Sequence, residues 1–205
     1  MRVYCAIAHS PTERDSLLKH VEKSKKPRRE DDFVNTSKPD PQRQYQGYKN
    51  RADGKAFETL IDLALRHYEM TRRAVIEKTP EPVTITSSLD KSGRFRAHFA
   101  ERAQPDYKGT LKGGQCVVFE AKHTNSDRIR ASAVKDSQAE QLAKYAAYGA
   151  WSFVLVGFGQ RDVFRVPWTV WAKMRGAEGH RYATRDDLEE WRVKSSDHGL
   201  PLILD

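Results

Sequence analysis

Only two cysteines occur in 205 residues, Cys5 and Cys116, so the chain has neither a disulfide framework nor a thiolate zinc cluster. Cys116 lies within a β-rich run and reads as a small core residue. No apolar stretch approaches membrane-span length, and the start, MRVYCAIAHSPTERDS, has too short an apolar core for a secretory signal. No Gly-rich phosphate loop and no internal repeat is present. A reducing cytoplasm fits these absences.

Charge is abundant and lopsided. Charged residues make up 31% of the chain, and the net charge is +8. That balance points to a polyanionic partner, nucleic acid first. The first fifty residues hold 11 Lys/Arg against 7 Asp/Glu and so carry +4 of the +8. Residues 1–46 read as a basic, flexible extension, with a short helix over Pro11–Val21 capped by Ser10. Phosphate attraction and simple solubilisation both suit such an arm. Residues 47–205 read as one domain with a sizeable core.

From Asp53 the apolar residues Phe57, Leu60, Ile61, Ala64, Leu65 and Tyr68 recur at helical spacing. Glu58 lies at the edge of that stripe, either as a boundary residue or facing a site between helix and sheet. Arg51, just before the stripe, is placed to hold a backbone phosphate. AVIEK and VTIT read as strands, and RFRAHF alternates Phe95, Ala97 and Phe99 against Arg94, Arg96 and His98. The last two runs form a hairpin whose Arg94 and Arg96 serve either edge solvation or phosphate contact.

The stretch from Pro105 to Lys122, PDYKGTLKGGQCVVFEAK, carries the chemistry. Strand alternation projects Glu120 and Lys122 from one side, with Ala121 turned away. A hairpin-like return can bring Asp106 beside Glu120. Two carboxylates at neighbouring strand ends make a hard oxygen site suited to Mg²⁺, and a nearby Lys can orient a water. Next come a polar loop with two Arg and a helix ending at Gly149, on which Gln138 is either a surface amide or within reach of a phosphate. WSFVLVGF reads as a strand buried on both faces, with DVFRVP as its partner. Pro167 opens a helix whose Trp168 and Trp171 serve packing. Thr184 caps RDDLEEW, and GLPLILD is placed as an edge strand. The order of elements gives an α/β fold, a mixed β-sheet flanked by helices.

From about Asn50 onward the chain resembles the RecU family of Holliday junction resolvases, within the restriction-endonuclease-like PD-(D/E)xK superfamily. The resemblance rests on Asn50-Arg51 before the Phe57-Glu58 helix, AVIEKTPEPVTI, AHF, DYKG, FEAK followed by Thr124, the Gln138 helix, GAWSFVLVGF and TRDDLEEW. It implies a homodimer, bacterial or encoded by a phage or mobile element, that nicks four-way DNA junctions in symmetric pairs, leaving 5′-phosphates. Mg²⁺ is the implied cofactor, with Mn²⁺ able to substitute. By position it implies Asp106 and Glu120 as metal ligands, and Lys122, Glu58 and Gln138 as further catalytic residues. Arg51, Lys78, Tyr107 and Lys108 fall among its DNA contacts, and Val83–Phe99 matches the family's projecting stalk, a few residues shorter here. A superfamily nuclease with another DNA target and a non-catalytic basic DNA-binding protein are the alternatives.

Overall fold

The computed structural model describes residues 40–80, 83–99, 104–159, 161–179 and 181–205. Cys5, the expected helix over Pro11–Val21 and most of the basic extension lie outside the described residues. A five-stranded sheet forms the frame, in the order β1-β4-β5-β7-β8. Its strands are β1 (Ala74–Lys78), β4 (Tyr107–Leu111), β5 (Cys116–Thr124), β7 (Trp151–Phe158) and β8 (Asp162–Pro167). All neighbours are antiparallel except β5 and β7, which run parallel. The expected α/β fold, a mixed sheet flanked by helices, is therefore present.

Each face of the sheet buries its own core. Helix α1 (Pro41–Met70) lays Phe57, Ile61, Ala64, Leu65 and Tyr68 against one face, where Tyr107, Phe119, Phe153 and Leu155 meet them. Helices α2 (Asp136–Ala147) and α3 (Trp168–Gly176) cover the other face with Leu142, Trp168 and Trp171, over Val118, Val154 and Val156. The alternation of β5 decides this split: Val117 and Phe119 turn to α1, Val118 and Glu120 to α2. Helix α2 ends where Gly149 takes φ +83°, with Gly149 N–H on the Ala146 carbonyl and Ala150 N–H on that of Tyr145. This doubled closure needs a left-handed residue, which glycine supplies without strain.

Several boundaries differ from expectation. Helix α1 begins at Pro41, twelve residues before Asp53. Residues 41–52 are nearly all exposed, so no apolar stripe announced them. Pro at the first position suits a helix start. In the expected hairpin only β2 (Val83–Ile85) and β3 (Ala97–Phe99) pair, as a separate two-stranded sheet. Arg94–Arg96 lie outside the strands and follow a turn at residues 91–93 that Asp90 organises, its Oδ1 accepting Ser92 N–H at 2.8 Å and Arg94 N–H at 2.9 Å. A further small sheet pairs β6 (Arg128–Arg130) with β9 (Tyr182–Thr184). GLPLILD is no edge strand: it makes one bridge, Ser195 to Pro201, and pushes Ile203 fully into the α1-side core. Cys116 is exposed rather than buried, because β5 starts outside the helix-covered region.

One glycine is fixed by close approach. A Cβ on Gly109 would stand 2.0 Å from the Val75 carbonyl oxygen and 2.5 Å from Ile76 Cα, both backbone atoms of the paired strand. Backbone cannot give way as a side chain can. Gly109→Ala is expected to destabilise the fold by about 1–3 kcal/mol or more, read as a lowered thermal midpoint. An unchanged midpoint would show that β1 does not lie this close to β4.

Candidate active site

Three rings fix the register on which the site depends. Tyr107, Phe119 and Phe153 stand opposite one another on β4, β5 and β7. Tyr107 stacks on Phe119 at 4.7 Å and Phe119 on Phe153 at 4.8 Å, with planes within 9°. Stacked aromatic pairs across strands add to the burial of their area and penalise a slip. Tyr107 and Phe119 are each one residue from a carboxylate, Asp106 and Glu120. One step from the Tyr107–Phe119 pair, Asp106 comes opposite Glu120, on the sheet's other face.

Asp106 is held at both ends. Its carbonyl accepts Thr79 N–H at 2.8 Å, and its Oδ2 accepts Ala121 N–H at 3.0 Å. Glu120 has no exposed surface. Its Oε2 accepts Lys122 Nζ at 2.9 Å and also Gln138 Nε2. Lys122 Nζ also lies 3.5 Å from Asp106 Oδ2, so the ammonium bridges both carboxylates. Gln138 is fixed in turn, since its Oε1 accepts Lys135 N–H at 3.1 Å. Its position, third in α2, is one where a Gln side chain commonly reaches back to the N-cap backbone. Glu120 Oε1 is buried with no hydrogen-bond partner among the described residues. Such an oxygen is costly, and it marks where a ligand would be welcome.

The structure thus brings together Asp106, Glu120, Lys122 and Gln138. Glu58 does not join them. It lies on α1, and its Oε2 accepts Lys78 Nζ at 2.6 Å. The hydrogen bond to Glu58 is the main reason the Lys78 pKa is raised, and Asp106 adds to it, so the pair stands at the margin of the same cluster. Arg51 is exposed on α1, with its guanidinium 5.0 Å over the Tyr48 ring. Arg94 and Arg96 are exposed in the hairpin, and Lys108 is exposed with its ammonium on Gln104 at 3.0 Å.

Tyr107 corrects the expectation of a DNA contact: it is fully buried and donates its hydroxyl to Asp62 at 2.9 Å. The reason is strand alternation, which turns Lys108 out and Tyr107 into the core. No residue pattern announced the backbone N–H groups of Ala121 and Lys135, which orient the side chains of Asp106 and Gln138, or that of Thr79, which holds the Asp106 backbone. Backbone donors carry no residue signature.

Two carboxylates and a lysine thus converge on the central hairpin of a mixed α/β sheet. The chain belongs to the RecU family: the family described as Recombination protein U matches residues 52–198. A Holliday junction resolvase RecU from Leuconostoc mesenteroides is 31% identical over 51% of this chain and 53% of that protein. One from Shouchella clausii is 31% identical over 52% and 54%. One from Leuconostoc citreum is 28% identical over 70% and 74%. The chain spans about half the length of the first two curated relatives. Among solved structures, a Holliday junction resolvase, Hjc, from Archaeoglobus fulgidus has a TM-score of 0.44 at 13% identity, covering 69% of this chain and 90% of that one.

Burial raises the Glu120 pKa above the ordinary carboxylate range, with Asp106 adding to the shift and Lys122 opposing it. A carboxyl with a higher pKa folded than unfolded binds its proton more tightly in the fold. Its stabilising contribution is therefore present at low pH and lost as pH rises through the folded value. In EDTA the thermal midpoint should fall from about pH 5 to about pH 8, and Glu120→Gln should flatten that slope. An equal slope in both proteins would place the titration elsewhere.

Proposed function

We propose that this chain is a metal-dependent endodeoxyribonuclease that resolves four-way DNA junctions by paired nicking. Membership of the RecU family and the resolvase names of its relatives support the substrate. The single observation that carries the chemistry is the buried, unpartnered Oε1 of Glu120 beside Asp106. Hard carboxylate oxygens fit Mg²⁺, with Mn²⁺ as a substitute. Among the described residues no group of three or more His, Cys, Asp or Glu side chains could hold a metal. Two carboxylates, with water and substrate phosphate for the rest, match how Mg²⁺ is commonly held. Asp106 and Glu120 would hold the ion. Once bound, it supplies polarisation of the phosphate and a lowered pKa for water.

The chain's own residues do the positioning. Gln138 and Lys122 both bond Oε2 of Glu120, which leaves Oε1 as the oxygen available to a cation. Lys122 has three donors; two face Glu120 and Asp106, and the third remains for the attacking water or a phosphate oxygen. The ammonium also offsets charge that grows on the phosphate in the transition state. The water oxygen bonds to phosphorus in line with the breaking P–O3′ bond. The 3′ oxygen leaves and takes up a proton, giving a 5′-phosphate and a 3′-hydroxyl. The Glu58–Lys78 pair serves as a further acidic and basic group at the margin. Arg51, Lys108 and the hairpin's Arg94 and Arg96 are exposed cations for the DNA backbone. A homodimer would supply two such centres for opposed strands, and a cytoplasmic setting suits the substrate.

The test is cleavage of labelled four-way junctions beside linear duplex and single strands, with Mg²⁺ and with EDTA. Symmetric nicks on the junction alone, lost in EDTA, are expected. Linear duplex cut as fast would move the reading to a nuclease of another target. Lys122→Met should slow cleavage by roughly a hundredfold or more. Glu120→Gln should abolish cleavage yet bind junctions, because exposed cations supply most of the affinity. Loss of binding by a folded Glu120→Gln protein would overturn that division of labour.

A further inference from the structure

The β6–β9 sheet carries a cationic surface that the cutting chemistry does not use. Arg128 and Arg130 turn outward while Ile129 is buried between them. Across the pair, Arg130 stands opposite Tyr182, and Arg128 holds its guanidinium 5.0 Å over the Tyr182 ring. Stacking of this kind pre-orders an arginine while leaving its edge donors open. These residues line a concavity of about 640 Å³ together with Ser132, Arg175 and Arg181.

The four arginines differ in how far they are already committed. Arg175 is spent on structure, donating to the Ala131 and Val134 carbonyls and pairing with Asp136, the one acidic residue of the lining. Arg128 lies 3.7 Å from Asp127, an exposed pair worth little. Arg130 and Arg181 make no ion pair among the described residues. Arg181 gives only its Nε, to the Ala177 carbonyl at 3.0 Å, which leaves its terminal nitrogens available.

A second concavity, of about 470 Å³, shares Arg128 and Arg130 and runs back to Thr124 and Lys122. Lys122 is the lysine that bridges the two carboxylates. Arg128 and Arg130 thus line both concavities, the one that reaches Lys122 and the one that holds Arg181. Arg128 and Arg130 follow one another on one side of β6 and Arg181 comes next, its carbonyl accepting Ala131 N–H, a succession that suits a strand of consecutive phosphates better than one small anion. Arg guanidinium and Ser hydroxyl groups are typical phosphate-contacting groups, and such contacts set register without reading bases.

We propose that Lys122, Arg128, Arg130 and Arg181 mark a phosphate track that carries a DNA arm away from the cut, contacting the backbone through the β6–β9 sheet. This inference rests on the nuclease reading above and adds to it a phosphate-contacting surface on the β6–β9 sheet.

The experiment measures junction affinity of the full chain in EDTA across a series of NaCl concentrations. The double variant Arg130→Ala/Arg181→Ala should bind about tenfold to a hundredfold more weakly. Its slope of log affinity against log salt should be shallower by about 1.8, about 0.9 for each lost phosphate contact. Both residues are exposed, so its thermal midpoint should match wild type, and Arg130→Lys/Arg181→Lys should regain the slope. An unchanged slope in the alanine variant, with wild type binding normally, would overturn the track alone. Wild type that fails to bind junctions at all would overturn the nuclease reading and the track with it.

Discussion

A fully buried carboxylate is the constraint around which this molecule is arranged. Glu120 sits on the middle strand of the sheet, out of reach of bulk water, where an isolated charge would be prohibitively costly. Lys122 and Gln138 both donate to it, yet only to one of its two oxygens. The other is left wanting. Such incomplete satisfaction is rare in a core and tends to mark places where a protein holds something beyond itself.

The scaffold keeps that arrangement from relaxing. The ring ladder of Tyr107, Phe119 and Phe153 sets the strand register from beneath the site. Tyr107 is also tied to Asp62 on α1. Phe57, one residue before Glu58, lies flat where a Cβ on Gly157 would stand 2.8 Å from its ring. Helix α1 is thereby seated on β7, and the Glu58–Lys78 pair is set at the sheet's edge. On the opposite face Gln138 comes from α2. The carboxylates are served by α2, and the marginal pair by α1.

Much of this was legible because the relevant signals are local. The limits of β1 follow from AVIEK, and β7 from an unbroken apolar run. The hairpin carrying Asp106 and Glu120 follows from Gly113 and Gly114 between two β-rich stretches, both of which take positive φ. What was not legible depends on distant partners. The first turns of α1 bury nothing, so periodicity could not find them. Tyr107 looked accessible beside two polar neighbours until its pairing with Phe119 fixed which way it points. Glu58 stood open between a boundary residue and one facing a site, and its partner Lys78, twenty residues on, could not be read from its own helix. The tail GLPLILD had the composition of a strand, yet it joins neither edge of the main sheet and instead seats Ile203 in the core.

The parallel pairing of β5 and β7 has a temporal side. It is the one parallel neighbour pair of the main sheet, and the connection between the strands contains β6, a short turn of helix at Ala131–Ala133 and α2. Antiparallel hairpins close locally and early, whereas pairing across so long an excursion is slow because loop entropy is spent first. Gln138 rides on that excursion. A nascent chain holding only the β4–β5 hairpin would have its acidic pair side by side but would lack the amide that orients Glu120. The four side chains would then come together only once the crossover has packed.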